Sequence, residues 1–389
     1  MISGTNPVAA AAQHQFPISA RPKSAPVRVC FLIDDLSRAG TETQLLALIR
    51  SFDRTRVQPS LVLLNGKGET SRALEPRGIP ILRLGVKSFA RPRTLFAAFS
   101  FMRFLRRERI DVLQAYFLDS IYFGVPLARL AGVRRVVRVR NNLGYWLTRK
   151  HRILGRIAGW LVDRTLTNSD QGREALIAEG VAPESITVLE NGVDIERFSN
   201  SLPDVARDAV RIGTVANLRP IKDLDLLIRA AAKITKHRPY VRFEVVGEGK
   251  QRQELERLIA DLNLGDRFRL LGAVDDVPAF LASLDVAVLC SRSEGMSNAL
   301  LEYMAAGRAI VATRVGAAEK LIRDGVEGLL VPPGNAPALV ASIEHLLDDR
   351  ELARSLGEAA RRRAGSEFSR HAMCRQFETW YSELAASRR

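Results

Sequence analysis

Short apolar runs rich in Val, Ile and Leu alternate with longer polar segments of helical period along most of the chain. Runs at 27–33, 61–64, 81–84, 112–115 and 136–139 are too short for helices and predict strands. Between them, periodic segments predict helices beginning with Leu45, Leu46, Leu48 and Ile49, near Arg72, over 93–107 and over 120–130. A polar stretch at 199–208 interrupts the pattern, which then restarts with strands at 211–216, 243–246, 268–271, 286–289 and 309–313. An amphipathic helix runs through Leu226, Leu227, Ile228 and Ala231, and two closing helices are predicted over 336–363 and 369–386. Strand and helix alternating at this spacing imply parallel, doubly wound α/β sheets. The chain divides into a non-periodic tail at 1–26, an α/β domain at 27–198, the linker 199–208, a second α/β domain at 209–368, and a last helix within 369–389.

The densest chemistry lies at 285–320, which reads strand, loop, helix, strand, loop. After the run 286–289 comes Ser-Arg-Ser-Glu-Gly, then a helix opened by Ser297 or Asn298 and closed by Gly307, then the run 309–313. Loops at the carboxyl ends of parallel strands are where open α/β sheets bind ligands. Glu294 lies in that loop and Glu302 about one turn into the helix. Between them the free N–H groups near Asn298, Ala299 and Leu300 form a helix start that favours phosphate. The spacing fits a ligand with hydroxyls at both ends and phosphates between. A second helix start, at Gly40 and Thr41 after the first strand, also presents N–H groups to an anion.

Glu, seven residues, Glu, then Met-Ala-Ala-Gly and an apolar strand, resembles the donor motif of retaining family 4 glycosyltransferases of the group 1 type. The closing segments Gly316-Ala317-Ala318-Glu319 and Asp324-Gly325-Val326-Glu327-Gly328 are similar to that family as well. The resemblance implies the GT-B fold, two Rossmann-like doubly wound domains facing each other across a cleft. It implies that Glu294 contacts the transferred sugar and acts as the catalytic residue, that Glu302 holds the ribose, and that Gly295, Met296, Ser297, Asn298, Ala299 and Leu300 complete the donor loop. Lys222 and Arg219 would neutralise the donor diphosphate. Gly40, Gly247, Ala273 and Val274 would wall the nucleotide. Three positions depart from the family pattern: Ala39 replaces one of two glycines, Asn217 holds the usual Arg position, and Asp223 follows Lys222 where Gly is usual. On the acceptor side Arg140 and Asn141 stand where relatives carry a His, and none of the five His matches that position.

What the resemblance implies is an enzyme that moves a sugar from a nucleotide diphosphate sugar to an acceptor hydroxyl with retention, needing no metal and no cofactor. Charge narrows the acceptor. Residues 81–160 carry seventeen Lys or Arg against three acids, nearly all of the +15 net charge. Interleaved with them are Phe96, Phe99, Phe101, Phe104, Tyr116, Phe117, Tyr122, Phe123, Tyr145 and Trp146. Basic and aromatic residues together suit an anionic membrane surface or a lipid-linked saccharide acceptor. No nucleic-acid motif accompanies the charge, so no nucleic-acid partner is expected. Three scattered cysteines, no apolar run of spanning length and no signal-peptide core point to a cytoplasmic protein peripheral on the inner face of the membrane. The rival readings are a nucleotide-sugar epimerase of similar fold and a binding protein that keeps the fold without turnover.

Overall fold

The structure, a computed structural model, describes residues 25–66, 68–141, 155, 159–198 and 209–387. The expected positions Tyr145, Trp146 and His151, the linker 199–208 and most of the tail lie outside the described residues.

Apolar runs buried on both faces build two parallel sheets. Among the described residues the first has seven strands: β1 (Val27–Ile33), β2 (Val57–Leu63), β3 (Ile81–Arg83), β4 (Val112–Ala115), β5 (Arg135–Val139), β6 (Arg164–Thr167) and β7 (Ile186–Val188). Their spatial order is β3-β2-β1-β4-β5-β6-β7. The second has six: β8 (Val210–Val215), β9 (Val241–Val246), β10 (Phe268–Gly272), β11 (Val286–Leu289), β12 (Ala309–Thr313) and β13 (Leu329–Val331), ordered β10-β9-β8-β11-β12-β13. Both orders reverse direction after the central strand, at β1/β4 and at β8/β11. A doubly wound sheet opens a ligand crevice at such a point.

Most boundaries agree with the reading of the sequence to within two residues, and three differences have a physical cause. Strand β2 starts at Val57 and includes Pro59, because β3 pairs only with Leu61, Val62 and Leu63. Pro59 falls where β1 alone flanks the strand, an edge position that tolerates the missing N–H. The helix after β1 begins at Gly40, with Thr43 N–H bonded to the Ala39 carbonyl. Its apolar residues start later because the first turn faces the cleft and not the core. The stretch 336–363 is two helices, Ala336–Asp348 and Arg350–Glu367. Asp349 breaks it, leaving helical geometry and accepting a hydrogen bond from Leu352 N–H as an N-cap.

The last helix, Arg370–Ala386, packs Met373, Cys374, Phe377 and Tyr381 into the core of the first sheet. Tyr381 sits edge-on to Phe31 and Phe52 at centroid distances of 6.4 and 6.1 Å. Its hydroxyl donates to Gln114 Oε1 at 2.7 Å, and Gln114 Nε2 donates in turn to the Tyr116 hydroxyl. Trp380 packs partly buried against the same cluster. Chain from beyond the second sheet thereby closes the first.

Candidate functional site

The carboxyl-end loops of the two sheets meet. Ser297 caps the helix Asn298–Ala305, its hydroxyl accepting from Leu300 N–H. The loop after β11, which leads into that cap, brings Gly295 against the first sheet. A Cβ on Gly295 would lie 2.3 Å from the Asn141 carbonyl oxygen and 2.8 Å from Asn168 Oδ1. Behind it Gly316, at φ +56°, leaves no room for a Cβ either: one would lie 2.3 Å from the Gly295 carbonyl oxygen. Ala317 N–H donates to that same carbonyl at 2.8 Å. The donor loop is therefore clamped between β12's loop and the end of β5, with two side-chain-free positions making the fit possible.

Glu294 is held from two sides. Lys222 Nζ donates to Glu294 Oε1 at 2.5 Å, and Ser291 Oγ donates to the same oxygen at 2.6 Å. The two charged side chains keep 21% and 13% of their surface, so the pair is largely withdrawn from water. Ser291 was not singled out from the sequence, although it opens the Ser-Arg-Ser-Glu string three residues before the carboxylate. Asp223 explains its own departure from the family pattern. It occupies the left-handed region at φ 51°, where Gly is easiest, and its buried carboxylate pairs with Arg292 at 2.8 Å. Arg292 N–H also donates to the Ile221 carbonyl, so the loops after β8 and β11 are stitched together around the Lys222–Glu294 pair. Arg219, one residue before the turn Pro220–Lys222, is exposed and has no side-chain partner among the described residues. Ala39 takes an ordinary extended conformation at φ −90°, so this position does not need the missing glycine.

Glu302 projects from the middle of the helix. Burial pushes its carboxyl up to about 7, opposed weakly by the charge of Arg197. Tyr303 beside it is fully buried, its hydroxyl bonded to Val215 N–H and Thr214 Oγ1, which docks the helix on β8. Gly247 ends β9 against the loop after β8, its N–H bonded to the Gly272 carbonyl. Ala273 is exposed, and Val274 packs half-buried on the second core. Next to them Asp275 pairs with Arg38 from the loop after β1, a contact between the sheets.

Asn298 occupies a place the sequence did not show. Its Nδ2 donates to the Gly40 carbonyl at 2.9 Å, while its Oδ1 accepts from Gln44 Nε2 at 3.0 Å and Asn191 Nδ2 at 2.8 Å. Asn191 further donates to the Met296 carbonyl, and Gln44 to the Gly192 carbonyl. The Asn298 side chain thus joins the two sheets, leaving the backbone N–H groups of Asn298 and Ala299 for a ligand. Asn191-Gly192 reads locally as a turn, and Gln44 as one polar residue on a helix. Neither local pattern carries the bridging role.

Arg140 and Asn141 end β5. The Asn141 backbone supports Gly295, while the guanidinium of Arg140 is paired with both oxygens of Glu179. That ion pair neutralises its charge. The aromatic window also divides: Phe101, Tyr116 and Phe123 are core residues, whereas Leu95, Phe96 and Phe99 on the helix Arg93–Arg107 are 76%, 77% and 64% exposed. No helix of the described residues is long and apolar enough to cross a membrane.

Residues 209–349 match the family model of glycosyl transferases group 1, and residues 38–197 match that of glycosyltransferase family 4. Alpha-D-kanosaminyltransferase from Streptomyces kanamyceticus is 33% identical over 287 residues, 68% of this chain and 74% of that protein. A UDP-Gal:alpha-D-GlcNAc-diphosphoundecaprenol alpha-1,3-galactosyltransferase from Escherichia coli is 25% identical over 340 residues, 79% of this chain and 88% of that protein. HepE of Anabaena, crystallised with UDP and glucose, superimposes with a TM-score of 0.79 at 22% identity, covering 92% of this chain and all of that one.

Proposed function

Because the chain belongs to the family 4, group 1 glycosyltransferases and has their GT-B fold, we propose that it moves a sugar from a nucleotide diphosphate sugar to a hydroxyl of a lipid-linked saccharide, with retention and without a divalent metal. The observation that carries this reading is the Lys222–Glu294 pair at the β8/β11 switch point, beside the free start of the helix Asn298–Ala305. On this reading the donor diphosphate lies over the N–H groups of Asn298 and Ala299, with Lys222 and Arg219 as its cations. Glu294, released from Lys222, contacts the transferred sugar, and Glu302 meets the ribose. Ser291 keeps the Glu294 carboxylate oriented when Lys222 turns to the diphosphate. The acceptor attacks on the face from which the diphosphate leaves, and the departing oxygen receives its proton.

Two observations support a lipid-linked acceptor at a membrane. The Escherichia coli relative is named for a diphosphoundecaprenol substrate. In this chain the helix Arg93–Arg107 exposes Leu95, Phe96 and Phe99 together with Arg93, Arg103, Arg106 and Arg107. Apolar side chains flanked by cations suit the headgroup region of an anionic bilayer, here the cytoplasmic leaflet. The test is release of nucleotide diphosphate from a panel of nucleotide sugars in EDTA, with and without membrane lipid extract, in wild type and Glu294→Gln. Lipid-dependent release from one donor, lost in the variant, is expected. Folded protein that releases nothing from any donor refutes the assignment.

A further inference from the structure

Beside the cleft the first sheet encloses a cavity of about 450 Å³, within the size range of small-molecule sites. Its walls are mainly apolar and aromatic, with Phe117, Ile121, Tyr122, Val139, Trp160 and Val181 among them. It reaches the donor loop through Asn141, which lines the cavity and whose carbonyl oxygen packs on Gly295. Thr41, from the helix start that faces the cleft, lines it as well.

Arg138 on β5 and Arg140, the first residue beyond that strand, stand two residues apart and both line this cavity. They differ in one respect. Arg140 is paired with Glu179, whereas Arg138 donates Nε to Thr165 Oγ1 at 2.9 Å and Nη1 to the Gly155 carbonyl at 2.8 Å. No carboxylate lies within ion-pair distance of Arg138 among the described residues. Burial and the neighbouring charge of Arg140 hold its guanidinium below the usual range, and Glu179 and Tyr122, the other titratable groups near it, oppose that weakly. A guanidinium withdrawn from water normally brings its own counter-charge, and this one has only neutral oxygens. Phe117, in the cavity wall, sits at φ 59°, a strained backbone for an aromatic residue. The turn is held by Asp34, whose Oδ1 accepts from both the N–H and the hydroxyl of Ser120.

We propose that this cavity binds an amphipathic anion, a phosphate- or diphosphate-headed lipid chain, with Arg138 as the ligand of the head and the apolar walls around the first units of the chain. The identification of that ligand as the acceptor rests on the transferase reading above; the anion site itself does not. Titration calorimetry on the whole chain, with farnesyl diphosphate, farnesol, inorganic pyrophosphate and monomeric dihexanoyl phosphatidylglycerol as probes, tests it. Farnesyl diphosphate is expected to bind at least about tenfold tighter than farnesol or pyrophosphate, and Arg138→Gln to remove that advantage without changing the affinity for farnesol. Arg138→Lys is expected to retain part of it. Equal binding of farnesol and farnesyl diphosphate, or wild-type affinity in Arg138→Gln, overturns the proposal. Tighter binding of the phospholipid keeps the anion site and overturns its assignment to the acceptor. If Arg138→Gln does not fold, Ala182→Trp fills the cavity instead and is expected to abolish binding of farnesyl diphosphate; unchanged affinity there overturns the proposal. Donor-dependent nucleotide release, followed in the same samples, reports on the transferase reading separately: release without lipid-diphosphate binding overturns the cavity site alone.

Discussion

Removing the carboxylate of Glu294 should tighten the binding of a nucleoside diphosphate while abolishing transfer. Lys222 is bonded to Glu294 at 2.5 Å, so a diphosphate that needs the lysine must first take it from the carboxylate. Exposed ion pairs are worth at most about 1 kcal/mol, and breaking a fully buried one costs about 3–5 kcal/mol. With 21% and 13% of the side chains exposed, this pair falls between those limits, at about 1–2 kcal/mol after discounting for solvent. Glu294→Gln should therefore lower the Kd for UDP or GDP by about 5- to 30-fold. The probe carries no sugar, so a lost sugar contact does not enter the comparison. Lys222→Met should raise the Kd about tenfold or more, since a charge-assisted contact to the diphosphate goes with it. In the double variant the gain from Glu294→Gln should vanish, because no lysine is left to release. Calorimetric titration of the four proteins gives all three comparisons. Unchanged or weaker binding in Glu294→Gln, or a gain that survives in the double variant, would refute the competition between carboxylate and diphosphate for Lys222.

Three further outcomes follow from the geometry. Burial keeps the proton on Glu302 up to about pH 7 in the folded chain, against about 4.5 for an exposed glutamate, so its contribution to stability is full below about 4.5 and is lost as pH rises through 7. Glu302→Gln should flatten that slope, worth up to about 3 kcal/mol, in urea midpoints measured from pH 4.5 to 7.5; an unchanged slope would contradict the burial of the carboxyl. Gly295→Ala places a methyl 2.3 Å from the Asn141 carbonyl, which the clamped loop relieves only by shifting Glu294. A fall in kcat/KM of at least about 100-fold is expected, with a stability loss of about 1–3 kcal/mol, and near-normal turnover would show that the two sheets are not closed this tightly. Tyr381→Phe leaves Gln114 Oε1 buried without its donor and should cost about 1–3 kcal/mol in chemical denaturation, with transfer kinetics unchanged below the transition.

Much of the architecture was legible because these strands are buried on both faces. The runs at 27–33, 112–115, 286–289 and 309–313 are predominantly apolar, and their ends coincide with those of β1, β4, β11 and β12. The helix Arg93–Arg107 likewise matches its periodic segment. Errors arose where local pattern and environment part company. Helical periodicity continues on both sides of Asp349, so the break there has no signal in the apolar pattern. Tolerance of Pro59 in β2 depends on whether a neighbouring strand is present, which no local window contains.

Alternation of elements, sheet type, a helix start at Ser297 or Asn298, and the Glu294 to Glu302 spacing that marks the family can all be read along the chain. These are short-range properties: side-chain burial period, backbone preference and capping act within a few residues. Which charges are free is settled only by the fold. Arg140 is neutralised by Glu179, 39 residues along the chain, while Arg138, two residues before it, finds no carboxylate partner among the described residues. Lys222 and Glu294 meet over a separation of 72 residues, and the Asn298 amide reaches Gly40 over 258. A charge or an amide has the same chemistry wherever it occurs. Whether it holds two sheets together, cancels a neighbour or waits for a ligand depends on what the folded chain brings within 3 Å of it.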